Sequence, residues 1–445
     1  MFGSITKPAY DAFYANFMKV RRARDLEASG SSSFRPMIDP PPPRNQGSIR
    51  FVRRRRLLAL TLTPPPRRSR AIPQVVEANM VPDFILRRGI RYLLKTKCIK
   101  KFENTEDEVN AELKFVEDLR RRPVAEQTSA ANEQHYEVPT EFYHLCLGSN
   151  LKYSCCYYER GNETLDEAEL CMFSQYARRA QLWNRLNILE LGCGWGSLSL
   201  WMAATFPNSK ITAVSNSKTQ KEFIDAQAKE RGIKNLTVIT ADMVSFEAPE
   251  AGEYDRIVSI EMFEHMKNYD ILFERCTKWL KPGGLMFIHI FVHRSRPYHF
   301  EAVDEDDWMS THFFTGGTMP SDRLLCFFAK ELHFKTQWRV NGNHYYRTCN
   351  DWLKKLDSNY AKAEPILEAT YGKENKTKWY VYWRLFFLSC AEMFNYDNGN
   401  GRGNEWYVSH YLFQKPDPNP KSKYPAPPID PYLPGPGRVR PPGVQ

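Results

Sequence analysis

Two carboxylates and an imidazole stand close together in Ile260-Glu-Met-Phe-Glu-His-Met-Lys-Asn-Tyr269. Glu261, Glu264 and His265 follow Tyr254-Asp-Arg-Ile-Val-Ser-Ile260, where Ile257 to Ile260 read as a buried strand. Spacings of three and four put the three side chains on one face if the segment is helical. Such a set at a strand's carboxyl end is costly to bury unless something uses it. Groups of these types can hold a cation and move a proton, and an imidazole titrates near neutrality. The competing reading is structural: ion pairs to Lys267 or to another segment.

A second stretch could hold a ligand. In Leu186-Asn-Ile-Leu-Glu-Leu-Gly-Cys-Gly-Trp-Gly-Ser-Leu-Ser-Leu-Trp201 an apolar run from Ile188 to Leu191 is followed by Gly192, Gly194 and Gly196. An amphipathic segment then starts at Ser197, so the pattern is strand, glycine turn, helix. Glycines let the backbone turn tightly and approach a ligand, and the new helix points N–H groups at it. Glu190, at the strand's carboxyl edge, can accept a hydrogen bond from a cationic amino group. The spelling E-x-G-x-G-x-G differs from the dinucleotide G-x-G-x-x-G. A plain tight turn in some other α/β protein is the competing reading.

These groups need a sheet to position them. Lys210 to Asn216 reads as a second parallel strand, Leu236 to Thr240 as a third, and Leu280-Lys-Pro-Gly-Gly-Leu-Met-Phe-Ile-His289-Ile as the loop and fifth strand. Trp406 to Phe413 closes the sheet as its last strand. Doubly wound folds bind ligands at strand carboxyl ends and usually place an acid after the second strand for ribose hydroxyls. Here that place holds Ser215-Asn216-Ser217-Lys-Thr-Gln220, whose amides can both donate and accept. Asp242 and Met243 follow the third strand, where an acid is often only a helix cap. His289 lies in an apolar strand, the usual setting of a satisfied core histidine.

The net charge of +10 is misleading about the body. Residues 1–75 carry 15 Lys/Arg against 4 Asp/Glu, a surplus that exceeds the whole chain's and leaves the remainder near neutral. Nothing therefore argues for nucleic-acid binding by the body. The ends, 1–75 and 416–445, hold 21 of the 30 prolines and are expected to be disordered. The first is Arg-rich with few acids, as a transit peptide is, although a plain tail is the simpler account; Arg53–Arg56 likewise reads as a solvated basic run rather than a nuclear signal. No stretch reaches the ~18–20 apolar residues of a membrane span. Ten scattered cysteines without metal spacing predict reduced thiols in a cytosol-like compartment, with no disulfides and no zinc.

The ordered body should begin near Val75. Pro82 to Lys101 reads as a basic amphipathic helix, fit either for a membrane surface or, more simply, for one buried stripe beneath a solvated cationic face. From Phe291 to about Asn400 the alternation stops, and an aromatic, glycine-hinged insertion with helices over Asn350–Tyr360 and Thr377–Phe394 should cap the site and form a pocket for a flat or greasy substrate. Cys390, in its apolar helix, reads as an inert buried thiol.

Asn132-Glu-Gln-His-Tyr-Glu-Val-Pro-Thr-Glu-Phe-Tyr143 and Leu151-Lys-Tyr-Ser-Cys-Cys-Tyr-Tyr158, ahead of E-x-G-x-G-x-G and Phe-Glu-His, resemble the cyclopropane fatty acid synthase superfamily of S-adenosylmethionine-dependent methyltransferases. The resemblance spans roughly 75–415 and is nearer to the plant coclaurine N-methyltransferase branch, because Glu261 stands where cyclopropane synthases have a small residue. It implies a Rossmann-like α/β class I methyltransferase fold. The expected division is a 1–75 extension, a 76–180 helical cap, a 181–291 cofactor core, a 292–400 substrate-capping insertion, a 401–415 final strand and a 416–445 tail.

The resemblance also implies roles. Tyr136, Tyr153, Ser154, Glu190, Gly192, Gly194, Asn216, Gln220, Asp242, Met243 and Ile260 would face S-adenosylmethionine, whose sulfonium aromatic faces attract. Glu261 would bind a substrate ammonium while Glu264 and His265 take its proton, the substrate being a basic alkaloid-type amine. Cys155, Glu264, His289 and Tyr345 match the positions that hold a bicarbonate base in cyclopropane synthases, and Cys390 matches a cysteine treated there as catalytic. Lipid cyclopropanation is thus the alternative. A catalytically silent cofactor-binding protein is a third class, which the intact Glu261, Glu264 and His265 make unattractive. The expected partner is a small amine; weak membrane-surface contact and a homodimer are left open.

Overall fold

A strand covered on both faces needs apolar residues in both directions of its pleat, and the central strands here supply them. Ile188, Val258 and Phe287 pack on one face, while Leu189, Ile257 and Met286, each one residue away, pack on the other. The computed structural model describes residues 71–99, 102–126, 138–301 and 307–419. Ahead of the core stand α1 (Ala71–Glu77), α2 (Asp83–Leu93), α3 (Thr105–Arg121), α4 (Thr140–Cys146) and α5 (Leu165–Arg179). The core runs β1 (Asn187–Leu191), α6 (Ser197–Thr205), β2 (Lys210–Ser215), α7 (Lys218–Glu230), β3 (Leu236–Thr240), β4 (Tyr254–Ile260), α8 (Tyr269–Trp279) and β5 (Leu280–His293). There follow β6 (Tyr298–His299), α9 (Trp308–His312), β7 (Thr318–Met319), β8 (His333–Val340), α10 (Gly342–Ser358), α11 (Tyr360–Tyr371), α12 (Lys376–Phe394) and β9 (Trp406–Gln414).

The main sheet has the order β3-β2-β1-β4-β5-β9-β8. Its first five strands are parallel, and β9 runs antiparallel between β5 and β8. The last strand in sequence is therefore an interior strand, and the edge beside it belongs to β8, inside the stretch 292–400 that reads from sequence as wholly an insertion. β8 is half-exposed and carries Lys335 and Arg339, the charged habit of an edge strand, which masks its alternation.

The helices that cover the site are fastened by caps and ion pairs. A capping box between Thr164 and Glu167 starts α5. The basic helix spans only α2 before a π turn over Leu94–Cys98. Its apolar stripe is half-buried, and its cations are not all solvated: Arg87 and Arg91 both pair with Glu392 of α12, at 2.8 and 2.6 Å. Asp83 accepts from Arg384, and Glu77 accepts from Tyr382 and pairs with Lys378, so α1 and α2 lie strapped along α12. The helix α12 is buried, as its aromatic composition requires. Residues 1–70, 127–137 and 420–445 lie outside the described residues, and with them Arg53–Arg56 and Tyr136. Among the described residues no helix is long and apolar enough to cross a membrane.

One glycine fixes how closely the insertion meets the sheet. A Cβ on Gly342, at the start of α10, would collide with the backbone carbonyl oxygens of Phe394 and Trp406, at the end of α12 and the start of β9. Gly342→Ala should therefore destabilise the protein by about 1–3 kcal/mol, the usual cost of overpacking. Urea unfolding with a midpoint unchanged from wild type would show that these backbones can part.

Candidate active site

Beyond the carboxyl ends of β1 to β4 lies a cavity lined by Glu190, Gly192 and Gly194 after β1, Ser215, Asn216 and Gln220 after β2, Asp242 and Met243 after β3, and Ile260 and Glu261 after β4. Tyr153 and Ser154 from the segment before α5 complete it. Gly192, Gly194 and Gly196 all have positive φ, and Gly194 differs from its neighbours in what surrounds it. A Cβ at Gly192 or Gly196 would strike Met262 or Ile224 at 2.6 Å, whereas one at Gly194 would meet open space. The first and third glycines are needed for packing, and the middle one leaves room for a ligand.

Three polar groups in this cavity are arranged for something besides their protein neighbours. Gln220 accepts from the Ser215 hydroxyl at 2.6 Å through Oε1, while its buried Nε2 has no partner among the described residues. Leaving such a donor unpaired costs about 1–3 kcal/mol. Glu190 is buried and accepts from the Ser199 hydroxyl, and burial pushes its carboxyl up to about 8. A carboxyl so placed ionises readily once a cation docks beside it. Asp242 accepts from the Val244 amide at 2.8 Å, so it caps the next turn as well as lining the cavity. Asn216, by contrast, is exposed at the rim.

A second cavity is lined by aromatic and apolar side chains from the insertion, among them Phe291, Phe314, Trp352, Phe386 and Phe394, together with Glu264 and Tyr345. The two cavities share Tyr153, Glu261 and His265. Glu261 sits at this junction with φ +49°, in the left-handed region that a glutamate rarely adopts. The segment after it is a single 3-10 turn, Phe263–His265, not an α-helix. The three chemical side chains therefore converge by a strained corner, and the one-face spacing argument does not describe them.

The Glu261 carboxylate is held by three donors. The Cys155 amide donates at 3.0 Å and His289 Nε2 at 2.9 Å to Oε1, and the Tyr345 hydroxyl donates at 2.6 Å to Oε2. These are three of the four residues expected around a bicarbonate, with Cys155 acting through its backbone. His289 is thus a paired core histidine and a site residue at once. Glu264 is different: its buried Oε2 has no partner among the described residues, and burial followed by the nearby Glu261 charge pushes its carboxyl well above the ordinary range. Burial raises the Glu261 carboxyl too, but the Lys152 charge and the Tyr345 and Cys155 donors counter the rise, so of these two close carboxyls Glu261 ionises first and Glu264 keeps its proton. His265 stacks on Phe314, their rings 5.8 Å apart.

A family model described as mycolic acid cyclopropane synthetase matches residues 124–400. The chain belongs to this family. Among relatives, it is 39% identical to a Thalictrum flavum subsp. glaucum protein named (S)-coclaurine N-methyltransferase, over 76% of this chain and 94% of that one. A Papaver somniferum protein of the same name is 34% identical, over 76% and 96%. A crystal structure of coclaurine N-methyltransferase bound to N-methylheliamine and SAH superposes with a TM-score of 0.72 at 36% identity, covering 77% of this chain and 99% of that one. This member of the mycolic acid cyclopropane synthetase family is an S-adenosylmethionine-dependent methyltransferase with the fold of that enzyme.

Within this family member, all the expected cofactor residues that fall in the described chain line the first cavity, and Tyr136 lies outside it. Cys390 lines the aromatic cavity and is half-buried, not enclosed. Sequence reasoning passed over Lys152, which is buried and donates to the Ser154 hydroxyl and the Cys155 carbonyl. A lysine inside the aromatic run Leu151–Tyr158 was the available signal. Gly194→Asp should remove S-adenosylhomocysteine binding in calorimetry while leaving the melting temperature near wild type, since aspartate tolerates positive φ. Normal affinity in that variant would show that the ligand does not approach Gly194.

Proposed function

We propose that the protein is an N-methyltransferase for a basic, alkaloid-type amine of the benzylisoquinoline class. One observation carries the reading. The Glu261 carboxylate occupies the donor set of Cys155, His289 and Tyr345, so that the anion there is part of the chain. A bound bicarbonate would have to share those donors with a fixed negative charge, which weighs against the lipid-cyclopropanation alternative. The same charge favours a cationic substrate, and the aromatic walls around it favour one too. The names of the coclaurine N-methyltransferase relatives agree with this reading.

S-adenosylmethionine, when bound, supplies an electrophilic methyl group on its sulfonium sulfur. The work of this chain is to make an amine nucleophilic beside it. A basic amine arrives protonated, and its nitrogen has no lone pair until that proton leaves. Glu261 holds the ammonium, and the aromatic pocket excludes water from it. The arriving positive charge draws the Glu264 carboxyl toward ionisation, its proton passing to solvent as the amine enters, after which the Glu264 carboxylate or the neutral His265 can take the amine proton and orient the lone pair. Because the Glu264 carboxyl is raised, its base form is lost as pH falls through a value above the ordinary carboxylate range.

Methyl transfer from labelled cofactor to benzylisoquinoline amines and to unsaturated phospholipid vesicles, each with and without bicarbonate, tests the reading. Label is expected in the amine and independent of bicarbonate; label in lipid that requires bicarbonate would overturn it. Glu261→Gly should lower amine methylation by about 100-fold or more, the loss of one positioning and one electrostatic contact, with cofactor affinity nearly intact. Undiminished turnover would remove the ammonium role. In Glu264→Gln the acid limb of kcat/KM should flatten, and an unaltered limb would move the proton transfer to another group.

A further inference from the structure

Glu261 is the end of a line of hydrogen bonds that crosses two strands of the sheet. His289 Nε2 lies 2.9 Å from its Oε1, and His410 Nε2 lies 2.9 Å from His289 Nδ1. His289 and His410 are facing partners in the β5–β9 ladder, and both are fully buried. Arg179, the last residue of α5, reaches His410 Nδ1 with its Nη1 at 2.7 Å. The Tyr176 hydroxyl, one turn earlier on α5, also lies 3.0 Å from His289 Nδ1.

The chemistry of the two ends dictates every proton between them. A guanidinium only donates, so His410 Nδ1 must accept and its hydrogen must sit on Nε2. That hydrogen points at His289 Nδ1, which must accept, leaving the His289 hydrogen on Nε2 facing Glu261. From the other end, an ionised carboxylate only accepts, which demands the same His289 tautomer. Reversing either ring sets a hydrogen against a hydrogen at Arg179 or a lone pair against a carboxylate at Glu261. Double protonation is opposed as well. Burial pushes both imidazoles well below their ordinary value, helped by the charges of Lys152 and Arg179 and, at His410, by His289.

Arg179 is an unusual residue to spend on an imidazole. No carboxylate among the described residues pairs with it, and its guanidinium rests 5.4 Å from the Trp338 ring centre. The ordinary account is that it packs on Trp338 and suits the carboxyl end of α5. That account gives no reason for its donor to enter a buried histidine pair.

We propose that Arg179 is a positioning residue for methyl transfer, acting through His410 and His289 to fix the hydrogen presented to Glu261 and so to hold that carboxylate anionic and oriented. The inference rests on the reading of Glu261 as the partner of the substrate ammonium. Glu261 is also faced by Lys152, Tyr345, Cys155, Glu264 and His265, so the relay supplies one of several influences on it. It is the one that ends at Arg179, the last residue of α5.

Arg179→Met and His410→Phe each break the line while keeping bulk. Either should lower kcat/KM for the amine about tenfold, as loss of a partner that orients a working histidine does, and should move the acid limb of the pH profile upward. Cofactor affinity should hold, and the double variant should be no worse than the singles. An unmoved pH profile, or additive losses, would reduce Arg179 to packing and overturn the proposal. Nitrogen-15 spectra of the wild-type protein give a test that needs no variant to fold: both histidines should be neutral with hydrogen on Nε2. Hydrogen on Nδ1, or an imidazolium, at either ring would overturn the relay whatever the substrate. Inactivity toward amines with both tautomers as expected would instead count against the proposed function alone.

Discussion

A carboxylate withdrawn from water must be given hydrogen-bond donors, and the arrangement of this molecule around Glu261 follows from that need. The donors come from three parts of the chain: the Cys155 amide before the core, His289 on β5 and the Tyr345 hydroxyl on α10. None is available unless the helical cap, the sheet and the insertion are all in place. The backbone contributes too, since only a left-handed corner at Glu261 turns its side chain back onto this cluster. An anion there is stable because the fold is complete, and the fold's three parts are held in register partly by the anion.

The neighbouring Glu264 shows the opposite treatment. One of its oxygens has no partner among the described residues and a lone backbone amide serves the carboxyl, so burial leaves it protonated beside a charged neighbour. Two chemically identical side chains separated by two residues thus rest in different protonation states, set by what surrounds each. The pair thus offers one carboxylate that ionises first and one that holds its proton, the combination the proposed amine chemistry would use.

Much of this was legible in the sequence. Apolar runs and the glycine spacing locate the parallel strands and the turn after β1, and most of the residues expected at the cofactor lie around one cavity because they stand at strand ends, Tyr153 and Ser154 joining them from the segment before α5. What local pattern does not carry is contact across the chain. His410 and Arg179 are separated by 231 residues, and nothing about a histidine in an apolar strand announces an arginine behind it. The edge strand β8 was hidden because half-exposed charged strands lack clean alternation. The helical-face argument brings Glu261, Glu264 and His265 together by a geometry the chain does not adopt, since spacing has no means of foreseeing a positive φ at a glutamate.

The strap formed by α1 and α2 is tied to α12 by polar contacts at four positions, Glu77, Asp83, Arg87 and Arg91, while Leu86 and Ile90 of α2 pack on the apolar core. The same helix contributes Phe386, Cys390, Met393 and Phe394 to the aromatic cavity, whereas the cofactor cavity is bounded by buried strand ends. The strap and the helix beneath it are therefore held by forces of different range and different sensitivity. Dissolved ions weaken partly exposed charge pairs and leave apolar burial intact or strengthened. Salt loosens the strap over α12, while the apolar packing that buries α12 and the strand ends around the first cavity persists.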